Sequence, residues 1–97
     1  MKIVRVVGVA ISTEKEPRLD STKLLLVQDS DAAGKSSGSP YIAQDIVGAG
    51  PGELAMIVQG SSARVAAGDS NTPVDTVIVG ILDSLTVDEK YTYKKNG

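Results

Sequence analysis

Residues 2–12 read KIVRVVGVAIS. Val and Ile fill six of these eleven positions. Such side chains are stiff at χ1 and pack well on a pleated surface, so the stretch reads as a β-strand. Side chains of a strand alternate between two faces. One face here carries Ile3, Arg5, Val7, Val9 and Ile11, and the other Val4, Val6, Gly8 and Ala10. Both are mainly apolar. A strand with one face in water is apolar on the other face only, so this one calls for cover on both. Gly8 in mid-strand marks a β-bulge or a close backbone approach.

The same two-faced pattern returns at residues 74–82, VDTVIVGIL, where Val77, Val79 and Ile81 oppose Ile78, Gly80 and Leu82. Between these stretches lie a second strand at 23–28, a third at 41–47 and a fourth at 53–59. Residues 14–20, with Pro17, read as a polar loop, and 29–40 as a long turn rich in Gly, Ser and Ala. The low-complexity part of that turn, 34–39, reads as a hairpin tip. Residues 48–52, GAGPG, form a tight turn. The one helical segment is 61–67, with Ser61 or Ser62 as N-cap and Gly68 as a left-handed terminator. A loop at 69–73 and a short last strand at 91–94 complete the chain. Ile and Val number 19 against seven Leu, a balance that favours pleated surfaces. Five main short strands with a short helix between the fourth and fifth predict a mainly β fold, a small OB-like five-stranded β-barrel. One domain, residues 1–97, is expected.

Composition excludes much chemistry. The chain has 97 residues, so it buries only about 60–65% of its unfolded surface and its core is thin. A net charge of -2 argues against a phosphate-tracking surface, and no nucleic-acid partner is expected. Cys is absent, which removes disulfides, thiolate metal sites and Cys nucleophiles. His is absent too, and with it the commonest general base and transition-metal ligand. Apolar runs stay short, as in Leu24–Val27, against the roughly 20 residues that span a bilayer. Lys2 and Arg5 lie inside the first strand with no apolar run of a leader behind them, so no signal peptide is expected.

Candidate motifs mostly fail. The glycine turn at 48–52 lacks the Lys-Ser/Thr pair of a phosphate loop and is not followed by a helix. Residues 29–34 begin like a calcium loop, yet Ala33 stands at position five and Pro40 at position twelve, where a bidentate Glu is needed. Ser12 and Lys15 have penicilloyl-serine spacing without companion motifs. The carboxylates Glu14, Glu16, Asp20, Asp45, Glu53, Asp75 and Asp83 are scattered and read as solvated loop charges. A paired-carboxylate hydrolase is the weakest alternative. An OB-like module for single strands or a small anion is the stronger one, although it has only Tyr41, Tyr91 and Tyr93 for stacking. The cluster of Lys90, Tyr91, Tyr93, Lys94 and Lys95 reads as an edge strand blunted by Lys. No catalytic residue, cofactor or metal is expected. The surplus of apolar strand faces is covered either by the chain's own loops and last strand or by neighbouring subunits.

Three blocks carry a resemblance: Gly48-Ala49-Gly50-Pro51-Gly52-Glu53, then Gly60-Ser61-Ser62-Ala63-Arg64, then Pro73-Val74-Asp75. With Gly8, Ser12-Thr13 and Leu24–Val27 in the same order, they resemble the vertex proteins of bacterial microcompartment shells, found in carboxysomes and in ethanolamine-utilisation and related metabolosomes. The resemblance covers nearly the whole chain, and its most specific part is residues 60–64. It implies an OB-like barrel assembled into a pentamer that caps the five-fold corners of a polyhedral shell in the bacterial cytoplasm. The facets of that shell are hexameric proteins, and the cap has no catalytic role. On this reading Gly48, Gly50 and Gly52 turn the chain sharply and bring backbone close to a neighbour. Ser61, Ser62 and Arg64 meet the next subunit at the start of the helix, and Glu53 or Asp75 pairs with Arg64.

Overall fold

The computed structural model describes residues 1–13, 15, 17–19, 22–68 and 74–96. The loop expected at 69–73, with Pro73 of the resembling block, lies outside the described residues, as do Glu14, Glu16 and Asp20. The described strands are β1 (Lys2–Ala10), β2 (Lys23–Ser30), β3 (Ser36–Asp45), β4 (Leu54–Gln59), β5 (Thr76–Ile81), β6 (Ser84–Val87) and β7 (Lys90–Lys94). One helix, α1 (Ser61–Ala66), separates β4 from β5. Among the described residues a 3-10 turn occupies Pro17–Leu19. Five strands close a barrel in the order β1-β2-β3-β5-β4, and β6 and β7 form a separate two-stranded sheet. The barrel is the OB-like one that the strand count predicts.

Only β3 and β5 pair in parallel, Gln44 with Val77 and Asp45 with Ile78. Parallel neighbours need a crossover connection, and β4 with α1 supplies it. Inside the barrel, Val4, Val6, Leu25, Val27, Ala43, Ala49, Ala55, Ile57 and Ile78 form one buried cluster. Leu54, Ala63 and Val77 are also fully buried but stand outside it. They belong to a second layer. Ile78 faces inward, so its neighbour Val77 faces outward, and there α1 packs across β4 and β5. Ala55 faces inward, so Leu54 faces outward. A Cβ on Gly34 would lie 3.7 Å from the Leu54 side chain and 3.2 Å from the Tyr93 ring, so the β2–β3 turn and β7 roof Leu54.

The two apolar strands therefore differ. The chain itself covers the start of β5's outer face, at Val77. β1 stays partly bare: Val7 is 42% exposed, Val9 51% and Ile11 87%. Gly8 does mark a bulge. Val6 opposes Val27 and Gly8 opposes Leu26, which leaves Val7 as the extra residue. No close approach occurs at Gly8, where a Cβ would meet Leu26 at an ordinary 3.5 Å.

Three local expectations need correction. The turn at 29–40 is mostly strand: only 31–35 turns, and Ser36 and Ser37 pair with Ser30 and Asp29. The Asp31 carboxylate accepts the N–H groups of Ala33 and Lys35, each at 2.9 Å, and closes the turn together with backbone bonds from the Asp31 N–H to the Lys35 carbonyl and from the Gly34 N–H to the Asp31 carbonyl. Ladder pairing thus overrides the weak strand propensity of the Ser-Gly run. Second, Gly60 is the N-cap of α1, without any side-chain cap, and Ser61 and Ser62 are exposed. Gly68 is left-handed as expected, and its N–H donates to the Val65 carbonyl at 3.0 Å. Third, the last strand is half of a hairpin. Asp88 and Glu89 turn it at φ 52° and 66°, without the Asn-Gly or Asp-Gly pair that usually announces such a turn. The blunted edge reading of β7 stands, since a two-stranded sheet consists of edges.

Candidate subunit interface

β4 divides the eight resembling residues into two groups. Gly48, Gly50, Gly52 and Glu53 lead into its first residue, while Ser61, Ser62 and Arg64 follow its last. Asp75 joins the second group, because its carbonyl accepts the Gly60 N–H at 2.9 Å. A six-residue strand holds the groups about 20 Å apart.

The glycine end is built by residues that carry no motif. Asp45 has a side chain only 1% exposed, 3.5 Å from the Lys23 ammonium. Its Oδ1 accepts the N–H groups of Val47 at 3.0 Å and Gly48 at 3.1 Å. Lys23 also donates to the Ala49 carbonyl at 3.3 Å, which holds buried Ala49 against the barrel. Arg5 donates to the Gly52 carbonyl at 2.7 Å and to the Gly34 carbonyl at 2.8 Å, so it ties two loops to β1. Val6 exchanges backbone bonds with the same loop, accepting from Gly52 at 2.7 Å and donating to Glu53 at 2.9 Å.

Gly48 and Gly52 are left-handed, with φ of 82° and 91°, which suits glycine. Gly50 has no positive φ. Its N–H donates to Glu53 Oε1 at 2.7 Å, and that bond is its local role.

The expected pairing of Arg64 with Glu53 or Asp75 is not formed. Glu53 pairs with Lys95, Nζ to Oε2 at 2.5 Å, because β4 separates it from Arg64. The Asp75 carboxylate accepts the Thr76 hydroxyl at 3.4 Å. Among the described residues no carboxylate pairs with Arg64, which is half-buried at the helix. Of the residues that motif reading missed, Asp45 left a signal, since an Asp shortly before a glycine is an Asx-turn pattern. Arg5 left a weaker one, as a charge flanked on both sides by Val in an apolar strand.

The hydrogen bond from Lys95, then that from the Gly50 N–H, holds the Glu53 carboxyl below its ordinary 4.5. The Lys35 N–H, then the Ala33 N–H, does the same for Asp31, and the Tyr41 hydroxyl, then Lys2, for Asp29. Depressed carboxylates stabilise the fold above their ordinary values of 4.5 and 3.8, and this contribution disappears as pH falls through the depressed values. The urea midpoint is therefore expected to hold near neutrality and to drop below about pH 4. Glu53→Gln should flatten part of that drop; an unchanged acid limb would remove Glu53 from it.

The tyrosines do not make a stacking platform. The Tyr41 hydroxyl donates to Asp29 at 2.5 Å, and burial, then the Asp29 bond, pushes that phenol well above its usual range. Tyr93 lies beneath the Arg5 guanidinium at 5.9 Å. Tyr91 is the exposed ring, with Lys94 over it at 4.9 Å. Base stacking on successive aromatics needs more than one open ring, so the single-strand module is not favoured. No helix among the described residues is long and apolar enough to cross a membrane.

Known proteins share both sequence and barrel. The family model described as ethanolamine utilisation protein EutN/carboxysome matches residues 1–83. The carboxysome shell vertex protein CcmL of Gloeobacter violaceus is 42% identical over 95 residues, covering 98% of this chain and 95% of its own length. Its solved structure superposes with a TM-score of 0.92 at 41% identity, covering 100% of both chains. The bacterial microcompartment shell vertex protein PduN of Salmonella typhimurium is 43% identical over 90 residues, 89% of this chain and 99% of its own. GrpN from Rhodospirillum rubrum, solved as a pentameric microcompartment shell protein, gives a TM-score of 0.81 at 37% identity over 90% of this chain and 99% of its own. With the family model, the sequence identities and the superposed barrels in agreement, the chain belongs to the EutN/carboxysome family, whose relatives here are shell vertex proteins of bacterial microcompartments.

Proposed function

We propose that this chain is a structural protein and not an enzyme: five copies close a ring that caps a five-fold vertex of a microcompartment shell in the bacterial cytoplasm. The rim of the ring meets hexameric shell proteins of the facets, and neither nucleic acid nor membrane takes part. The observation that carries this reading is the barrel's likeness to a relative solved as a pentameric shell protein, on a chain whose β1 leaves large apolar side chains bare. A cyclic ring is heterologous: each subunit shows one face to the neighbour ahead and another to the neighbour behind. Two groups at opposite ends of β4 suit that arrangement, with Gly48, Gly50, Gly52 and Glu53 on one face and Ser61, Ser62, Arg64 and Asp75 on the other. Two standard faces bury about 1,600 Å², more than a quarter of the 5759 Å² the subunit exposes.

Sedimentation of the purified protein tests the ring. A species of about 50 kDa, five times the 10.0 kDa chain, is expected; a lone 10.0 kDa species at micromolar concentration would sink the reading. Among the described residues Arg64 has no partner carboxylate, so its guanidinium is assigned to the neighbour. Arg64→Ala is expected to lower the ring fraction, and unchanged assembly would remove Arg64 from the interface.

A further inference from the structure

We infer that two unlike apolar surfaces at opposite ends of β1 hold the ring together, a knob on one copy seated in a groove on the next. The inference rests on the ring reading above. The knob is formed where β1 and β3 run past their partners. Ala10 pairs with Leu24, and Leu24 with Gln44, so the following residues Ile11 and Ile46 emerge at the same end of the barrel. Val9, Ile11, Ile46 and Val47 are all exposed there, with Val7 standing on the bulge behind them.

The groove lies at the other end of the strand. Ile3 opposes Met56, and Met56 opposes Gly80, on the outer face of the barrel. Gly80 offers no side chain, and the Met56 methyl occupies the space its Cβ would take. This leaves a depression of about 540 Å³ walled by Met1, Ile3, Met56, Leu82 and Leu85, with Lys2, Asp29 and Ser30 at its edge. An apolar floor inside a polar rim is the anatomy of an interface core.

Geometry selects the occupant. A strand of nine residues separates knob from groove by about 30 Å, so no copy can fill its own groove with its own knob. Closing a head-to-tail ring requires two different, complementary surfaces on each copy, and this subunit carries an exposed apolar cluster at one end of β1 and an apolar depression at the other. The occupant is therefore a second copy of the chain.

The chain has no Cys, so two engineered thiols report on the contact alone. Ile11→Cys and Ser30→Cys in one chain, treated with a short bis-maleimide, should give a denaturing-gel ladder ending at five chains. Each single-cysteine chain should stay monomeric on the gel, because the contact sets position 11 of one copy against position 30 of the next and not against its own equivalent. A sedimenting pentamer whose double variant gives no ladder, or whose single variants yield dimers, would overturn the inference and leave the ring reading intact. Wild-type protein that sediments as a monomer would instead sink the ring itself. Ile11→Glu supplies an independent readout: at 87% exposure in one subunit it should keep the circular dichroism of the fold and lose the pentamer. A pentamer that survives this change would also overturn the inference.

Discussion

Leu54→Ala will lower the unfolding free energy by about 3 kcal/mol, within the range of buried Leu truncations, and will loosen a hairpin some 30 residues away in sequence. Leu54 is fully buried yet stands outside the barrel cluster. It fills the seam between the outer face of β4 and its roof, the 31–35 turn and Tyr93 of β7. A two-stranded hairpin is at best marginal by itself in water, so β6 and β7 depend on this seam, on Leu85 and on the Lys95–Glu53 pair. Amide exchange should accelerate across Lys90–Lys94 in Leu54→Ala at temperatures where the barrel stays protected. Leu25→Ala, which opens a cavity inside the barrel, should cost a similar amount without freeing the hairpin selectively. Equal exchange profiles in the two variants would refute the roof. Both need the same protein concentration, because assembly couples stability to concentration.

Asp45→Ala is expected to cost about 2–3 kcal/mol, chiefly by removing two hydrogen bonds to a charged group. The carboxylate is all but sealed from solvent and serves both the Val47 and Gly48 N–H groups. Lys23 contributes less. Its side chain is 55% exposed, and its charge recovers solvent when the partner leaves. Losing the two bonds frees the entry of the glycine turn, which carries Ile46, Val47 and buried Ala49. Asp45→Asn keeps one acceptor and should fall between wild type and Ala. Urea midpoints at one protein concentration decide this, and an Ala variant within about 0.5 kcal/mol of wild type would refute the role assigned to Asp45.

Legibility followed burial and spacing. Strand existence was readable because β-branched runs at 2–12 and 74–82 leave few alternatives, and the helix was readable from the terminating Gly68, although its N-cap is Gly60 and not a serine. The hairpin of β6 and β7 was not, because Asp88 and Glu89 adopt left-handed backbone that their types do not announce. The Ser-rich start of β3 was hidden for a related reason, since its partner strand supplies the ladder and its own side chains contribute little. At the candidate interface, the residues that resemble the family were visible as motifs, but their partners were not. Glu53 pairs with Lys95 across 42 positions, a proximity that only the closed barrel creates.

The amino-acid order by itself determined that this is a β-barrel with too much apolar strand surface, because alternation and side-chain stiffness act locally. Which of those surfaces stays bare was decided only in three dimensions. α1 packs over the start of β5, whereas Val9 and Ile11 at the far end of β1 stay exposed, since cover depends on where the connections return and not on the strand's own composition.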